Sequence, residues 1–562
     1  MLRVNQLKLP LDHAEAALPE AICRRLKLQP QQLLSHRVLK RSIDARRQHD
    51  IQLTYSLEIE LEPGLERRLL QRLRNDPRLQ PAADDRYAMV HTAPAGLEPG
   101  TVPRPVVVGA GPCGYFCALL LAQMGWRPLL LERGQPVKQR TADTFGFWRG
   151  DQPFNPESNA QFGEGGAGTF SDGKLYSQVS DPRHLGRKVL EELVQAGANP
   201  EILVLHHPHI GTYKLATVVR GLRAQIEALG GEIRFQSRVD RLELDPNSRR
   251  VQGLTLADGS RIAADQVVLA VGHSARDSFA MLRQLGVAME RKPFAVGVRI
   301  EHPQALIDAA RWGPCAGHPR LGAAEYKLVH HAANGRCVYS FCMCPGGLVV
   351  GATSEAGRVV TNGMSQHSRN ERNANSGLVV NIDTADVEPY GDGPGDPLAG
   401  VAFQRHWEGR AFELGGGTYA APGQRLGDFL AGRPSTGLGA VQPSYSPGVT
   451  LTDLSTSLPG YVIEALREAL PQFNRSIAGY AMDDALLTGV ETRTSSPLRL
   501  PRNQTLESTN TPGLYPAGEG AGYAGGILSA AIDGIRVAEA VGLTLRRRWH
   551  PGGPNGSACD RA

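Results

Sequence analysis

Between Ile51 and Leu61 the apolar residues Ile51, Leu53, Tyr55, Leu57, Ile59 and Leu61 take every second position, with polar side chains between them. That period belongs to a strand half-buried against a core. Around it, residues 3–9, 35–43 and 87–91 read as strands and residues 14–26 and 65–73 as helices. The order β-α-β-β-α-β predicts a small ferredoxin-like α+β domain over residues 1–95. Residues 96–105, rich in Gly and Pro, read as a linker. Beyond it the alternation gives way to short continuous apolar runs, Val106-Val107-Val108, Leu129-Leu130-Leu131 and Val267-Val268-Leu269, as expected of strands buried on both faces. Residues 184–196 and 217–229 read as helices, and short strands at 232–235, 238–244, 251–256, 261–263 and 266–271 predict a meander joined back to the main sheet. Residues 281–480 are mixed in pattern and predict an inserted cap or substrate domain. Residues 481–545 return to the first fold, and the Arg-, Pro- and Gly-rich stretch 546–562 predicts a disordered tail.

The run at Val106 is followed by Gly109-Ala110-Gly111-Pro112-Cys113-Gly114, a helical stretch over residues 115–123, and the strand 129–131 closing on Glu132-Arg133. Strand, glycine turn, helix, strand and terminal acid make up a complete dinucleotide-binding unit. Gly109 allows the tight turn, Gly111 the close approach of a pyrophosphate, and Gly114 the packing of helix on strand. The spacing G-x-G-x-x-G recurs at Gly163-Gly165-Gly168 and at Gly520-Gly522-Gly525. No buried strand precedes the Gly163 copy, so it is no second turn of that kind. A long glycine- and asparagine-rich loop, residues 145–170, runs through it and is expected to contact a ligand. Val271-Gly272-His273 ends a buried strand, and Pro516-Ala517-Gly518-Glu519 begins another glycine turn that leads into a helix to about residue 543.

Composition narrows this little. Charged residues at 21% and hydrophobic residues at 41% describe an ordinary globular chain, and a net charge of +5 over 562 residues gives no argument for nucleic acid or an anionic membrane. Even the Arg-rich residues 1–100 carry 16 Lys/Arg against 13 Asp/Glu. The first residues lack the apolar core and cleavage site of an export signal, no run reaches about 18 apolar residues, and a cytoplasmic protein is expected. Eight irregularly spaced cysteines give no disulfide framework.

With these motifs in place the chain resembles the glutathione-reductase-like flavoproteins with two dinucleotide-binding domains. More narrowly it is similar to a bacterial FAD-dependent dehydrogenase family. The matching stretches include residues 163–175, 271–277, 292–299, 341–347, 361–365, 492–497 and 516–527. The resemblance implies an α/β protein with a Rossmann-like FAD-binding domain (residues 104–280 and 481–545) around the inserted domain. It assigns Gly109, Gly111 and Gly114 to the pyrophosphate turn, and Glu132, with Arg133 beside it, to the adenosine ribose. The loop carrying Gly163, Gly165, Gly166 and Gly168 would lie by the pyrophosphate and isoalloxazine. Val239 would meet adenine through its backbone, Gly272 would form a second nucleotide turn, and Gly518 and Glu519 would hold the ribityl region. Gly526 and Ile527 would present a helix N-terminus to the flavin pyrimidine edge, where reduced flavin is anionic. No second Rossmann turn for NAD(P)H lies between the two FAD motifs, so the electron donor or acceptor is left open.

On the substrate side, Lys174, His273 and Arg493 are the catalytic candidates, each in a glycine- or serine-rich turn and able to donate a hydrogen bond or proton near a flavin. Cys342-Met343-Cys344 reads as a buried strand-to-turn segment, with a flavin-linked thiol as the alternative. His206, His207 and His209 lack partners at ligand spacing, and no metal site is expected. The function so read is hydride transfer between a small-molecule substrate and flavin N5. An RNA-associated flavoprotein and a non-catalytic FAD scaffold are the competing readings.

Overall fold

In a computed structural model, which describes residues 1–94 and 102–549, the three apolar runs lie side by side in one parallel sheet. Its order is Leu514–Pro516, Val267–Leu269, Val106–Val108, Leu129–Leu131, Glu232–Arg234. Val107 stands opposite Val268 on one side and Leu130 on the other, and Val268 in turn meets Tyr515. Chain segments about four hundred residues apart are thereby brought two strands from each other. The helix Pro112–Gln123 follows the first strand and starts three residues earlier than its apolar pattern indicates. Pro112 accounts for this: its fixed φ suits the first helical position, where its missing N–H leaves no bond unmade.

Two helices pack at the back of this sheet with almost no gap between them. Gly534 of the helix Ile527–Trp549 lies against the Pro112–Gln123 helix so closely that a Cβ would stand 2.2 Å from the Cys113 carbonyl oxygen. A Cβ on Gly114 would similarly stand 1.8 Å from the Gly109 oxygen. The helix Ile527–Trp549 also runs past the predicted boundary at 545. Residues 546–549, expected to be disordered, complete it, and Arg548 pairs with Asp265 at 2.6 Å. The rest of the predicted tail, and residues 96–101 of the predicted linker, lie outside the described residues.

A seven-stranded sheet forms the second layer, in the order Val329–His331, Cys337–Cys344, Asn373–Ile382, Phe294–Pro303, Leu486–Glu491, Ala421–Arg425, Val449–Leu451. Leu486–Glu491 pairs directly with Phe294–Pro303, so a boundary at 480 cuts through this sheet. Residues 1–81 form a four-stranded antiparallel sheet, Leu33–Asp44, Gln52–Leu61, Leu2–Pro10, Leu79–Pro81, with helices Ala17–Leu26 and Leu65–Arg72. Its apolar face is continuous with the core of the seven-stranded sheet. The strand expected at 87–91 is absent, and Leu79–Pro81 takes the edge position instead. The physical reason lies in the partners of that segment. Tyr87 donates to Glu539 at 2.8 Å and Ala93 N–H to the Met124 carbonyl at 2.7 Å, so its residues are committed to the helices of the parallel sheet.

The predicted loop 145–170 is shorter than expected, because residues 145–149 end the helix Val137–Arg149. From that helix Arg140, fully buried, reaches into the loop. Its Nε donates to the Asn159 carbonyl at 2.9 Å, Nη2 to Ala160 at 2.9 Å, and Nη1 to Glu164 and Gly166 at 2.8 Å each and Gly163 at 3.2 Å. Buried carbonyls need donors, and this loop forms no ladder of its own, so one guanidinium supplies them. Burial lowers its pKa to about 10, against the pull of Glu132 and Glu164, which leaves it cationic at neutral pH.

Two outcomes follow. Arg140→Met, which strands several buried carbonyls, lowers the unfolding free energy by about 3 kcal/mol or more and releases the loop to proteolysis, read by urea unfolding and limited digestion. Gly534→Ala, favoured by helix propensity by about 1 kcal/mol, instead destabilises by about 2 kcal/mol because of overpacking. A stabilised Gly534→Ala protein would contradict the close helix packing.

Candidate active site

One large cleft, partly open to solvent, is lined by both the first glycine turn and the start of the last helix. At one end its wall is Gly109, Ala110, Gly111 and Pro112, with Glu132, Arg133 and Val239 beside them. Gly109 has φ +105, and a Cβ there would meet the Ala270 oxygen at 2.4 Å. Gly111 faces Gly166 of the loop, whose own Cβ would lie 2.9 Å from the Gly111 Cα. The two glycine segments therefore cross in direct backbone contact, which no larger residue pair permits.

Glu132 is almost fully buried, and its carboxylate ties three pieces of backbone together. It accepts from Ala110 N at 2.8 Å and from Gly134 N and Gly163 N at 2.9 Å each. A carboxylate offers about four acceptor sites, which leaves one for a ligand hydroxyl. Arg133 is held by Glu157 at 2.8 Å and Asp277 at 2.9 Å and lies over the Phe162 ring.

The cleft is also walled by Lys174, His273, Cys342, Asn362, Arg493, Glu519, Gly526 and Ile527, by Gly272, and by Gly168, which lies between Pro112 and Ile527. Gly272, Gly525 and Gly526 would carry a Cβ into open space, so bare backbone faces the cleft there. The first-turn N–H groups of the helix at Ile527 have no intrahelical partners and give that end a positive potential. A large cleft with two backbone cradles and an acid near the first turn fits a dinucleotide.

Of the residues singled out in the sequence, Gly114, Gly163, Gly165 and Gly518 do not line the cleft. Gly114 packs on Gly109. Gly163 makes room for Arg140, Gly165 for Thr169 and Gly518 for Cys113, each at a distance a Cβ would reduce below 3.0 Å. They shape the cleft from behind. The others, Gly109, Gly111, Glu132, Arg133, Gly166, Gly168, Lys174, Val239, Gly272, His273, Arg493, Glu519, Gly526 and Ile527, all face it.

The catalytic candidates differ in how free they are. His273 Nε2 lies 3.0 Å from the Arg493 carbonyl. A carbonyl only accepts, so Nε2 is the donor and Nδ1 is left to accept or carry a proton. Arg493 is committed: Nε and Nη2 bind Glu408 at 3.0 and 2.9 Å, and Nη1 donates to Ser274 and Ser354. Glu408 also binds Arg276, at 2.7 and 2.9 Å, and Glu355 binds Arg276 in turn at 2.7 Å. This buried network fastens the helix Arg276–Gln284, just after the Gly272 turn, to the helix Ala399–Leu414 that carries Glu408 and to the segment that follows the strand Leu486–Glu491. Lys174 is salt-bridged to Glu325 at 3.3 Å, lies 3.9 Å from Asp172, and also donates to the Met343 carbonyl. Burial alone would lower its pKa, but Glu325 and Asp172 outweigh it and hold the ammonium above its ordinary value. It is held as a cation by these two carboxylates. Burial raises the Glu519 carboxyl, with His273 and Lys292 acting against the shift.

Sequence reading missed Arg140, Glu164 and Arg299. Glu164 is fully buried and accepts from Tyr115 at 2.8 Å and Val137 N at 2.6 Å. Arg299 is fully buried against Glu491. The signal for Glu164 was available, as an acid inside a glycine loop; no local pattern marks the two arginines. His206 stacks on His207, His207 on Tyr176, and His209 on His367. Among the described residues no group of three or more His, Cys, Asp or Glu could hold a metal ion, and no helix is long and apolar enough to cross a membrane.

Known proteins give this geometry a family. Residues 164–388 match the family model described as FAD dependent oxidoreductase, residues 293–494 that of an FAD-dependent protein, C-terminal domain-like, and residues 1–60 a domain of unknown function. A protein of Clostridium beijerinckii, described as uncharacterized, is 46% identical over 539 residues, covering 96% of this chain and 98% of its own. Among solved structures, a 3-ketosteroid dehydrogenase of Rhodococcus jostii RHA1 is 13% identical (81% of this chain and 99% of that one) with a TM-score of 0.32. A glycine oxidase of Geobacillus kaustophilus is 11% identical (80% and 97%) with a TM-score of 0.34. TM-scores this low support no statement about this chain. The family models and the near-full-length relative do: the chain belongs to the same family as the Clostridium protein, and it is an FAD-dependent oxidoreductase.

Proposed function

We propose that the cleft holds FAD along its length, ADP half at Gly109 and ring at Gly526, and that the enzyme moves hydride between a carbon of a small-molecule substrate and flavin N5. Bound FAD supplies the hydride-accepting ring; the chain supplies position and charge. The observation that carries this reading is that the turn at Gly109 and the helix start at Ile527 open onto one cleft. In this reading the Gly109–Pro112 turn takes the pyrophosphate and the last acceptor site of Glu132 takes a ribose hydroxyl. The Val239 backbone lies by adenine, Gly272 by the phosphates, and Glu519 by the ribityl chain.

At the ring end the Ile527 helix N-terminus and the Lys174 ammonium place positive charge where the reduced ring gains negative charge. His273 Nδ1 is the group free to hold or release the substrate proton. Arg493 acts as a positioning residue: it carries the carbonyl that orients His273 and joins the two layers through Glu408. The architecture so proposed is a two-part FAD-binding domain around the seven-stranded sheet domain, preceded by a ferredoxin-like domain whose strand order is 2-3-1-4.

Anaerobic photoreduction followed by stopped-flow mixing with electron acceptors tests the reading. The flavin is expected to bleach and to reoxidise with at least one acceptor, whereas a flavin inert to every donor and acceptor would overturn it. Lys174→Met is expected to retain FAD while slowing flavin reduction by roughly 10- to 100-fold, the loss of about 1.4 to 2.7 kcal/mol of charge stabilisation. An unchanged rate would remove Lys174 from the site.

A further inference from the structure

The strand Cys337–Cys344 reaches the ring end of the cleft at Phe341, Cys342 and Met343. Its pairing with Asn373–Ile382 slips between Phe341 and Cys344, so residues 342 and 343 form a bulge. Cys342 there adopts φ +44, in the left-handed region that non-glycine residues seldom occupy. A bulge re-aims a side chain, and here it leaves Cys342 partly exposed at the cleft while Cys344 is fully buried behind it. The Cys344 thiol donates to the Cys342 carbonyl oxygen at 3.4 Å, which holds the two cysteines side by side.

Cations flank the pair. Arg299 Nη1 donates to the Cys342 carbonyl at 2.9 Å, and the same guanidinium binds Glu491 through Nε at 2.6 Å and Nη2 at 2.9 Å. A Cβ on Gly363 would meet Arg299 Nη1 at 2.5 Å and Cys344 Sγ at 2.8 Å, so arginine and sulfur converge on space that only glycine leaves free. Lys174 binds the Met343 carbonyl from the cleft side. The neighbouring Cys344 thiol, then Arg299 and Lys174, lower the Cys342 thiol against the effect of burial, while Cys344 is raised. Simple packing requires none of this: no left-handed backbone, no second thiol, no buried cation. A nearby cation is what favours a thiolate that attacks or is attacked, and a second thiol is what lets a disulfide close.

We propose that Cys342 and Cys344 are a redox-active dithiol–disulfide pair that exchanges two electrons with the bound flavin. The inference rests on the placement of the flavin ring given under Proposed function. In the oxidising direction two S–H bonds are lost and one S–S bond forms. The two electrons and two protons released pass to FAD, giving FADH2, and the reverse step reduces the disulfide. Cys342, at the cleft, is the thiol that faces the ring; Cys344 closes the disulfide from behind. The enzyme would then store a second electron pair beside its flavin.

Anaerobic reductive titration of the air-oxidised holoenzyme, with thiol counting in denaturant, tests the pair. Wild type is expected to take up about four electrons per flavin and to show two thiols fewer than its eight cysteines before reduction and all of them after. Cys342→Ser and Cys344→Ser are expected to keep their flavin and take up about two, while Cys337→Ser, on the same strand, behaves as wild type. Flavin-bearing wild type that takes up about two electrons and shows every thiol before reduction would overturn the pair and leave the FAD site standing. A protein that binds no flavin would overturn both.

Discussion

One buried guanidinium holds the active-site cleft in shape. Arg140 donates to five carbonyls of the segment 159–166, a stretch with too little regular structure to satisfy them itself. Because that segment is fixed, Gly163 N reaches Glu132 and Gly166 lies against Gly111. The first glycine turn is thus clamped from two sides before any ligand arrives. Removing a charge from water is expensive, and here a ring of carbonyl dipoles replaces the lost hydration. The same device recurs elsewhere in the molecule: Glu408 is held between Arg276 and Arg493, and Glu491 by Arg299. Arg276 and Arg493 join segments that share no ladder, whereas Arg299 and Glu491 sit on neighbouring strands of one sheet.

Much of the fold is legible in the apolar pattern. Three-residue runs of Val and Leu marked three of the five strands of the parallel sheet, since a strand covered on both faces has no polar side to show. The alternation at Ile51–Leu61 marked a strand covered on one. Where the pattern misled, tertiary contacts had taken over residues that looked local. Tyr87 and Ala93 pack on distant helices and form no strand, and residues 546–549 continue a helix because Arg548 finds Asp265. The start of Leu486–Glu491 within the seven-stranded sheet was hidden because its partner lies nearly two hundred residues away.

The site was legible where backbone conformation dictates the residue. Glycines at positive φ or in direct contact announce themselves, and Gly109, Gly111, Gly166 and Gly272 all face the cleft. What no spacing reveals is which side chain meets which. Arg493 looked like a free donor and is bound to Glu408; Lys174 looked like a proton donor and is held as a cation by Glu325 and Asp172. The Arg493–Glu408 and Lys174–Glu325 pairings join residues more than eighty positions apart. Cys342 and Cys344 looked like strand packing until the bulge and the neighbouring Arg299 were in view.

The central claim is that two glycine cradles, one at Gly109 and one at Gly526, form a single site for a full dinucleotide. Calorimetric titration of the apoprotein with FAD and, separately, with FMN tests it most directly. The account predicts one FAD per chain, with FMN, which lacks the adenosine half, bound at least about 100-fold more weakly, a difference of about 2.7 kcal/mol. Equal affinity for the two would show that the Gly109 turn and Glu132 hold nothing, and would contradict it.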